Sequence, residues 1–131
     1  MSEISEDQRA VIEAIQRVAA AFDERDLDAL LGAHYQGPEC SMVPPGGQRV
    51  CGWEAVRYQL ENRTAEFQYS RTTIELPEVS LFRDTAVITY LQRIDSRLHD
   101  IDFNWAGWVT DVLVRREGRW LRVHHHASDL P

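Results

Sequence analysis

The 131-residue chain reads as a single α+β domain spanning residues 1–131, with N-terminal helices packed on a curved antiparallel sheet. Three observations predict this. Apolar residues recur at helical spacing in the first half. From Phe67 onward the pattern changes to a period of two. No repeat, low-complexity stretch or linker divides the chain, so one segregated core is expected.

Helix one starts at Ser5, whose hydroxyl can cap free amides while Gln8 reaches back, as a capping box requires. Val11, Ile12, Ile15, Val18, Ala19 and Phe22 follow at helical spacing. Asp26 caps a second, shorter helix with Leu27, Leu30, Leu31 and His34 near one face, and Gly37-Pro38 ends it. A hairpin around Cys40 to Cys51 comes next. A third helix runs from about Trp53 to Arg63, with Trp53, Val56 and Leu60 on its apolar side.

The strands follow as Ser70 to Phe82, Thr85 to Asp95, Ile101 to Arg116 and Arg119 to Ser128. Pro77 interrupts the first and implies an edge position or a bulge. Glu117-Gly118 turns the third into the fourth. Short turns between neighbours make an antiparallel meander, and helices laid before such a sheet leave a cavity between the layers.

Composition excludes several functions. The net charge is −7 and lysine is absent, with arginines scattered among acids. A duplex binder needs a basic stripe, so nucleic acid is not an expected partner, and anionic membranes are disfavoured on the same ground. No apolar run approaches the roughly 20 residues of a membrane span. The polar, acidic N-terminus does not read as a secretory signal, so a cytoplasmic location is expected. Cys40 and Cys51 lie symmetrically about Pro44–Gly47 and would face each other across a hairpin. In a reducing cytosol they are expected as free thiols, with a cross-strand disulfide as the minor alternative.

The C-terminal residues Thr110, Val112, Arg115, Arg116, Gly118, Trp120, Val123, His124, His126 and Ser128 carry a resemblance. Together they resemble the end of the association domain of calcium/calmodulin-dependent protein kinase two. They also resemble the wider SnoaL-like group, which includes ketosteroid-isomerase-like members. Thr72-Thr73-Ile74, Pro77, Val79 and Tyr90 fit the same spacing, and Asp26, Leu27 and Tyr35 match the usual second helix. The resemblance implies a cone-shaped nuclear-transport-factor-two-like fold, whose bent sheet wraps a long helix around a pocket. It implies a homodimer through the outer sheet face, or a larger ring as in the kinase domain. Three arginines line that domain's pocket. The corresponding positions here are Gln92, Asp111 and Ala127, so an acidic or neutral pocket is expected.

Asp111 is the first chemical candidate, because a carboxylate within a strand is unusual. Facing an apolar pocket it would be a proton carrier; on the outer face or paired to an arginine it would be structural. In His124-His125-His126, the outer two point one way and His125 the other. Two same-face histidines are too few to hold a metal without a third ligand such as His34 or His99, so neither metal nor other cofactor is expected. Leu121, Val123, His125 and Ala127 form the more apolar face, and Trp120, Arg122, His124 and His126 the more polar one. The first set is therefore expected inward, with Trp120 on the outer face, although a β-bulge would reverse part of this. His125 and Asp111 become the acid/base pair and Gln92 a hydrogen-bond donor. Tyr35, Trp53, Tyr58, Tyr90 and Trp105 are expected pocket walls, while Trp108 completes the aromatic set.

Two functions fit this reading, and the sequence leaves open whether the protein is an enzyme. One is a cofactor-independent isomerase, dehydratase or cyclase that moves a proton beside a carbonyl of a small apolar ligand. The other is a non-catalytic ligand-binding or association module.

Overall fold

The computed structural model describes residues 3–131. Helix α1 spans Glu6–Asp23 and opens on the expected capping box. The Gln8 amide donates to Ser5 Oγ at 3.1 Å, and the Ser5 amide donates to Gln8 Oε1 at 2.8 Å. A cap of this kind stabilises a helix by about 1 kcal/mol. Its inward stripe is Val11, Ala14, Ile15, Val18 and Ala21, all buried. Helix α2, Leu27–Gly32, is capped by Asp26, and α3 runs Trp53–Glu66, one turn past the expected end.

Six strands form one sheet: β1 Ser41–Val43, β2 Val50–Cys51, β3 Phe67–Phe82, β4 Thr85–Leu98, β5 Ile101–Arg116 and β6 Arg119–Asp129. Their order is β2-β1-β6-β5-β4-β3, so the last four make the expected antiparallel meander. Glu117 and Gly118 both take positive φ in the β5–β6 turn, which suits a tight two-residue hairpin. The sequence pattern did not foretell that β1 lies parallel to β6, pairing Ser41 with His124. Among the described residues no helix is long and apolar enough to cross a membrane.

Three register shifts interrupt the ladders among the described residues, one of them between Phe67 and Tyr69 at the start of β3; the other two shape the sheet around the site. The first of these two falls between Glu75 and Glu78, beside Pro77 on the edge strand, as the proline implied. The second is in β6, where Val112 pairs with His124 but Leu113 pairs with Arg122. Val123 is therefore an extra residue, and strand parity reverses across it. Trp120 and Arg122 consequently turn inward and are buried, together with Ala127. This corrects the outer-face placement of Trp120, whose ring instead packs in the core with Arg115 stacked over it at 4.9 Å.

The hairpin also departs from the symmetric reading. Ser41, not Cys40, pairs with Cys51. That one-residue slip buries Cys40 and leaves Cys51 exposed, both as free thiols.

Two apolar clusters hold the layers together. Val11, Ala14 and Ile15 of α1 pack on Ile88, Val109, Leu113 and Trp120 of the sheet. Val18, Ala21, Leu30, Met42, Val56 and Leu60 join the three helices to β1. Each fully buried aliphatic side chain contributes about 1.5–3 kcal/mol. Between the two clusters the layers part around a cavity.

Candidate functional site

The cavity holds about 140 Å³, near the size that accepts a single aromatic ring. Ile15, Val18, Ala19 and Phe22 of α1 form one wall. Inward residues of the sheet form the other: Thr72 and Ile74 on β3, Tyr90, Gln92 and Ile94 on β4, Phe103 and Trp105 on β5. Arg122 and His125 of β6 close its polar end, and α3 contributes Leu60 and Arg63. Gly107 makes room for this wall. A Cβ there would stand 2.1 Å from the Ser128 carbonyl oxygen and 2.4 Å from the Trp105 ring. The Trp105 ring is further fixed by its Nε1–H, which donates to Asp129 at 2.6 Å.

Asp111 lies directly behind this polar end and is wholly buried. Its Oδ1 is 2.6 Å from His125 Nδ1, and its Oδ2 accepts from the Tyr90 hydroxyl at 2.6 Å. Arg122 Nη1 reaches Oδ2 at the longer distance of 3.5 Å. The backbone of β6 fixes that arginine against α2. The Arg122 amide donates to the Ala33 carbonyl, and the Tyr35 amide donates to the Arg122 carbonyl, each at 3.0 Å. Its Nε–H then donates to His34 Nε2 at 3.2 Å, while His34 Nδ1–H donates to the Leu30 carbonyl at 2.7 Å. Every buried polar atom of the described side chains thus has a partner.

These contacts set the protonation states. Burial opposes the Asp111 charge, but His125 and Arg122 outweigh it and hold the carboxyl down at about 2. Burial, aided by Arg122, lowers His34 to about 3, so it is a neutral acceptor. Burial likewise lowers His125, with Asp111 pulling against it and Arg122 adding to it. At neutral pH His125 is a neutral imidazole; its Nδ1 lies 2.6 Å from the ionised Asp111 Oδ1 and 3.3 Å from Arg122 Nη1, and the shorter contact to a carboxylate, which can only accept, assigns the proton to Nδ1. Its Nε2 has no hydrogen-bond partner among the described residues, and the ring lines the cavity. The side chain keeps 12% of its surface exposed. The arrangement can take up a proton at Nε2 and stabilise the resulting imidazolium through a buried carboxylate.

The structure brings together His125, Asp111, Tyr90, Gln92 and Trp105, but divides their roles. Asp111 faces inward yet stands behind His125 and Tyr90 instead of on the cavity wall, which makes it a positioning residue. The Tyr90 hydroxyl proton is engaged by Asp111, while the Gln92 amide has no partner among the described side chains.

Three expected wall residues lie elsewhere. Tyr58 is on the outer side of α3 and 69% exposed. The Tyr35 hydroxyl donates to Glu39 at 3.1 Å, with Arg116 over the ring. Trp53, at the start of α3, packs on the helical cluster with its ring 6.1 Å from that of His34. Tyr58 points to the far side of α3 and Trp53 sits at its first residue, while Tyr35 lies beyond the end of α2, its amide held by the Arg122 carbonyl. His124 is on the opposite face of β6, its Nδ1 2.7 Å from Ser41 Oγ. Among the described residues no three His, Cys, Asp or Glu side chains stand close enough to hold a metal ion.

The expectation of an acidic or neutral pocket is overturned. Gln92, Asp111 and Ala127 all face inward as placed, yet Arg63 and Arg122 line the cavity and no carboxylate among the described residues does. Sequence reasoning missed both arginines and the bridging role of His34. A tryptophan in the otherwise polar set of β6 was the signal that parity breaks there.

The chain shares its fold with many solved proteins. A proposed dehydratase of the nuclear-transport-factor-two-like family from Streptomyces avermitilis superposes with a TM-score of 0.89 at 22% identity, covering 95% of this chain and 96% of that one. A proposed scytalone dehydratase from Novosphingobium aromaticivorans gives 0.86 at 14% identity, covering 95% and 85%. A proposed association domain of calcium/calmodulin-dependent protein kinase type II from Thiobacillus denitrificans gives 0.78 at 20% identity, covering 90% and 93%. Among curated proteins none matches. The SnoaL-like domain model matches residues 11–131, and the chain belongs to that family.

Proposed function

We propose that this protein is a cofactor-independent enzyme of the isomerase, dehydratase or cyclase type, which moves a proton beside a carbonyl of a small, largely apolar ligand. The observation that carries this reading is the 2.6 Å contact between His125 Nδ1 and buried Asp111 Oδ1 at the wall of an apolar cavity. His125 Nε2 takes the proton, and Asp111 stabilises the imidazolium through Nδ1–H. Gln92 is the donor for the developing oxyanion, because Tyr90 already spends its proton on Asp111. Tyr90 and Arg122 keep Asp111 ionised and in place. The resemblance of the fold to proposed dehydratases agrees with this chemistry but does not select a substrate.

The test uses phenylacetone, a one-ring carbonyl compound, in deuterated buffer. Wild type should exchange its α-hydrogens faster than buffer alone, and His125→Gln should return the rate to background while its circular dichroism is unchanged. Exchange that is equal in the two proteins removes His125 from the role. No exchange by wild type favours the second reading, a ligand-binding or association module. One observation supports assembly in either case: Trp108 is 48% exposed on the outer sheet face, next to Leu91 across the strand pair. A homodimer through that face covers it.

A further inference from the structure

The cavity wall has a charge pattern that a purely apolar ligand would not need. The chain contains 21 acidic residues against 14 arginines, yet among the described residues no carboxylate lines the cavity. Two arginines do. Arg122 is already committed to Asp111 and His34 inside the protein. Arg63 is not. It lies in the last turn of α3, half-buried, and no carboxylate comes within ion-pair distance of it among the described residues. Burial pushes its guanidinium below the ordinary value, with the charge of Glu66 opposing this from a distance. A partly desolvated cation without a partner is costly unless something completes it.

The rest of the wall shows what that something would carry. Phe22, Phe67, Phe103 and Trp105 supply aromatic surface, and the volume of about 140 Å³ suits one ring. Arg63 offers a planar fork of donors matched to a carboxylate. Resting on the reading of His125 as the proton carrier, we infer that the ligand is a monoanion: a single apolar ring or chain bearing a carboxylate that Arg63 binds. The anion then fixes which end of the ligand enters, and the carbon to be deprotonated is presented to His125.

Benzoate and benzamide separate this inference from the reading beneath it, because they have nearly the same shape and differ in charge. Binding is measured by calorimetry or ligand-detected NMR at pH 7 with wild type, Arg63→Gln, Arg63→Lys and His125→Gln. Wild type should prefer benzoate by about tenfold, the size of one charge-assisted contact. Arg63→Gln should bind the two alike, Arg63→Lys should keep part of the preference, and His125→Gln should keep all of it. Equal binding of the two by wild type overturns the anion assignment and leaves the proton carrier standing. A preference that survives Arg63→Gln and disappears in His125→Gln also overturns it, by moving the anion to the β6 end. Binding of neither compound at millimolar concentration overturns it together with the one-ring cavity. Equal proton exchange by wild type and His125→Gln, or none by wild type, with the benzoate preference intact, would instead overturn the proton carrier alone.

Discussion

Replacing Arg122 by methionine tests whether the polar cluster is a coupled unit. Methionine keeps most of the buried stem, so lost packing is small and the change isolates the guanidinium. Arg122 is 6% exposed and touches Asp111, His34 and, at 3.3 Å, His125 Nδ1. Removing one partner of a buried pair costs about 3–5 kcal/mol. Here the Arg122–Asp111 contact is long, at 3.5 Å, and Asp111 keeps two donors at 2.6 Å from His125 and Tyr90. That argues for the lower end of the range. Against this, His34 Nε2 loses its donor, at a cost of about 1–3 kcal/mol for an orphaned buried acceptor. The expected total is about 4–6 kcal/mol at pH 7, read as a shift in the urea midpoint followed by tryptophan fluorescence. A loss below about 1 kcal/mol would refute the claim that Arg122 holds the cluster together. In the double variant with Asp111→Asn the losses should be sub-additive by about 1 kcal/mol or more; strict additivity would show two independent sites.

Acid should weaken the fold early. The folded-state pKa of His34, about 3, lies below its ordinary 6.5, so the unfolded chain binds the proton first. That stability is complete above 6.5 and is lost as pH falls toward 3, by up to about 4–5 kcal/mol. Asp111, depressed from 3.8 to about 2, acts with the same sign over the lower window. Urea midpoints that stay flat from pH 7 to 4.5 would contradict the buried neutral His34. Gly107→Ala should lower the melting temperature by several degrees, since its Cβ would meet backbone and the Trp105 ring; an unchanged value would mean the wall can yield. Gln92→Ala should slow turnover of a carbonyl substrate about tenfold or more with little change in its binding, and an equal loss in both would make Gln92 a binding group only. Trp108→Ser should halve the mass measured by light scattering, while an unchanged mass would remove the outer face from the assembly.

Much of this was legible in the sequence because local rules and the fold agree. Ser5 and Gln8 marked the first helix, Pro77 marked an edge bulge, and Glu117-Gly118 marked the last turn. Alternation, together with the correspondence of Gln92, Asp111 and Ala127 to pocket positions of the resembled association domain, pointed these residues and His125 to the inner face, where the structure has them. Failure came where parity or register shifts by one residue. The extra Val123 in β6 turns Trp120 and Arg122 inward, so the arginine that organises the cluster was read as exposed. The one-residue offset between Ser41 and Cys51 likewise separates two cysteines that symmetry would have paired. A single bulge carries no strong residue signature, whereas its consequence is to exchange two faces of a strand. Arg63 escaped for another reason. Only the distance between α3 and the sheet decides whether its guanidinium meets solvent or the cavity.

The most direct test of the account is the protonation state of His125, measured by ring-nitrogen NMR in uniformly labelled protein across pH. The account predicts a neutral ring at pH 7, protonated at Nδ1 toward Asp111, that gains its second proton only below the ordinary histidine value of 6.5. A ring already cationic at pH 7, or one that carries its proton on Nε2, would leave no lone pair facing the cavity and would contradict the proposed proton carrier.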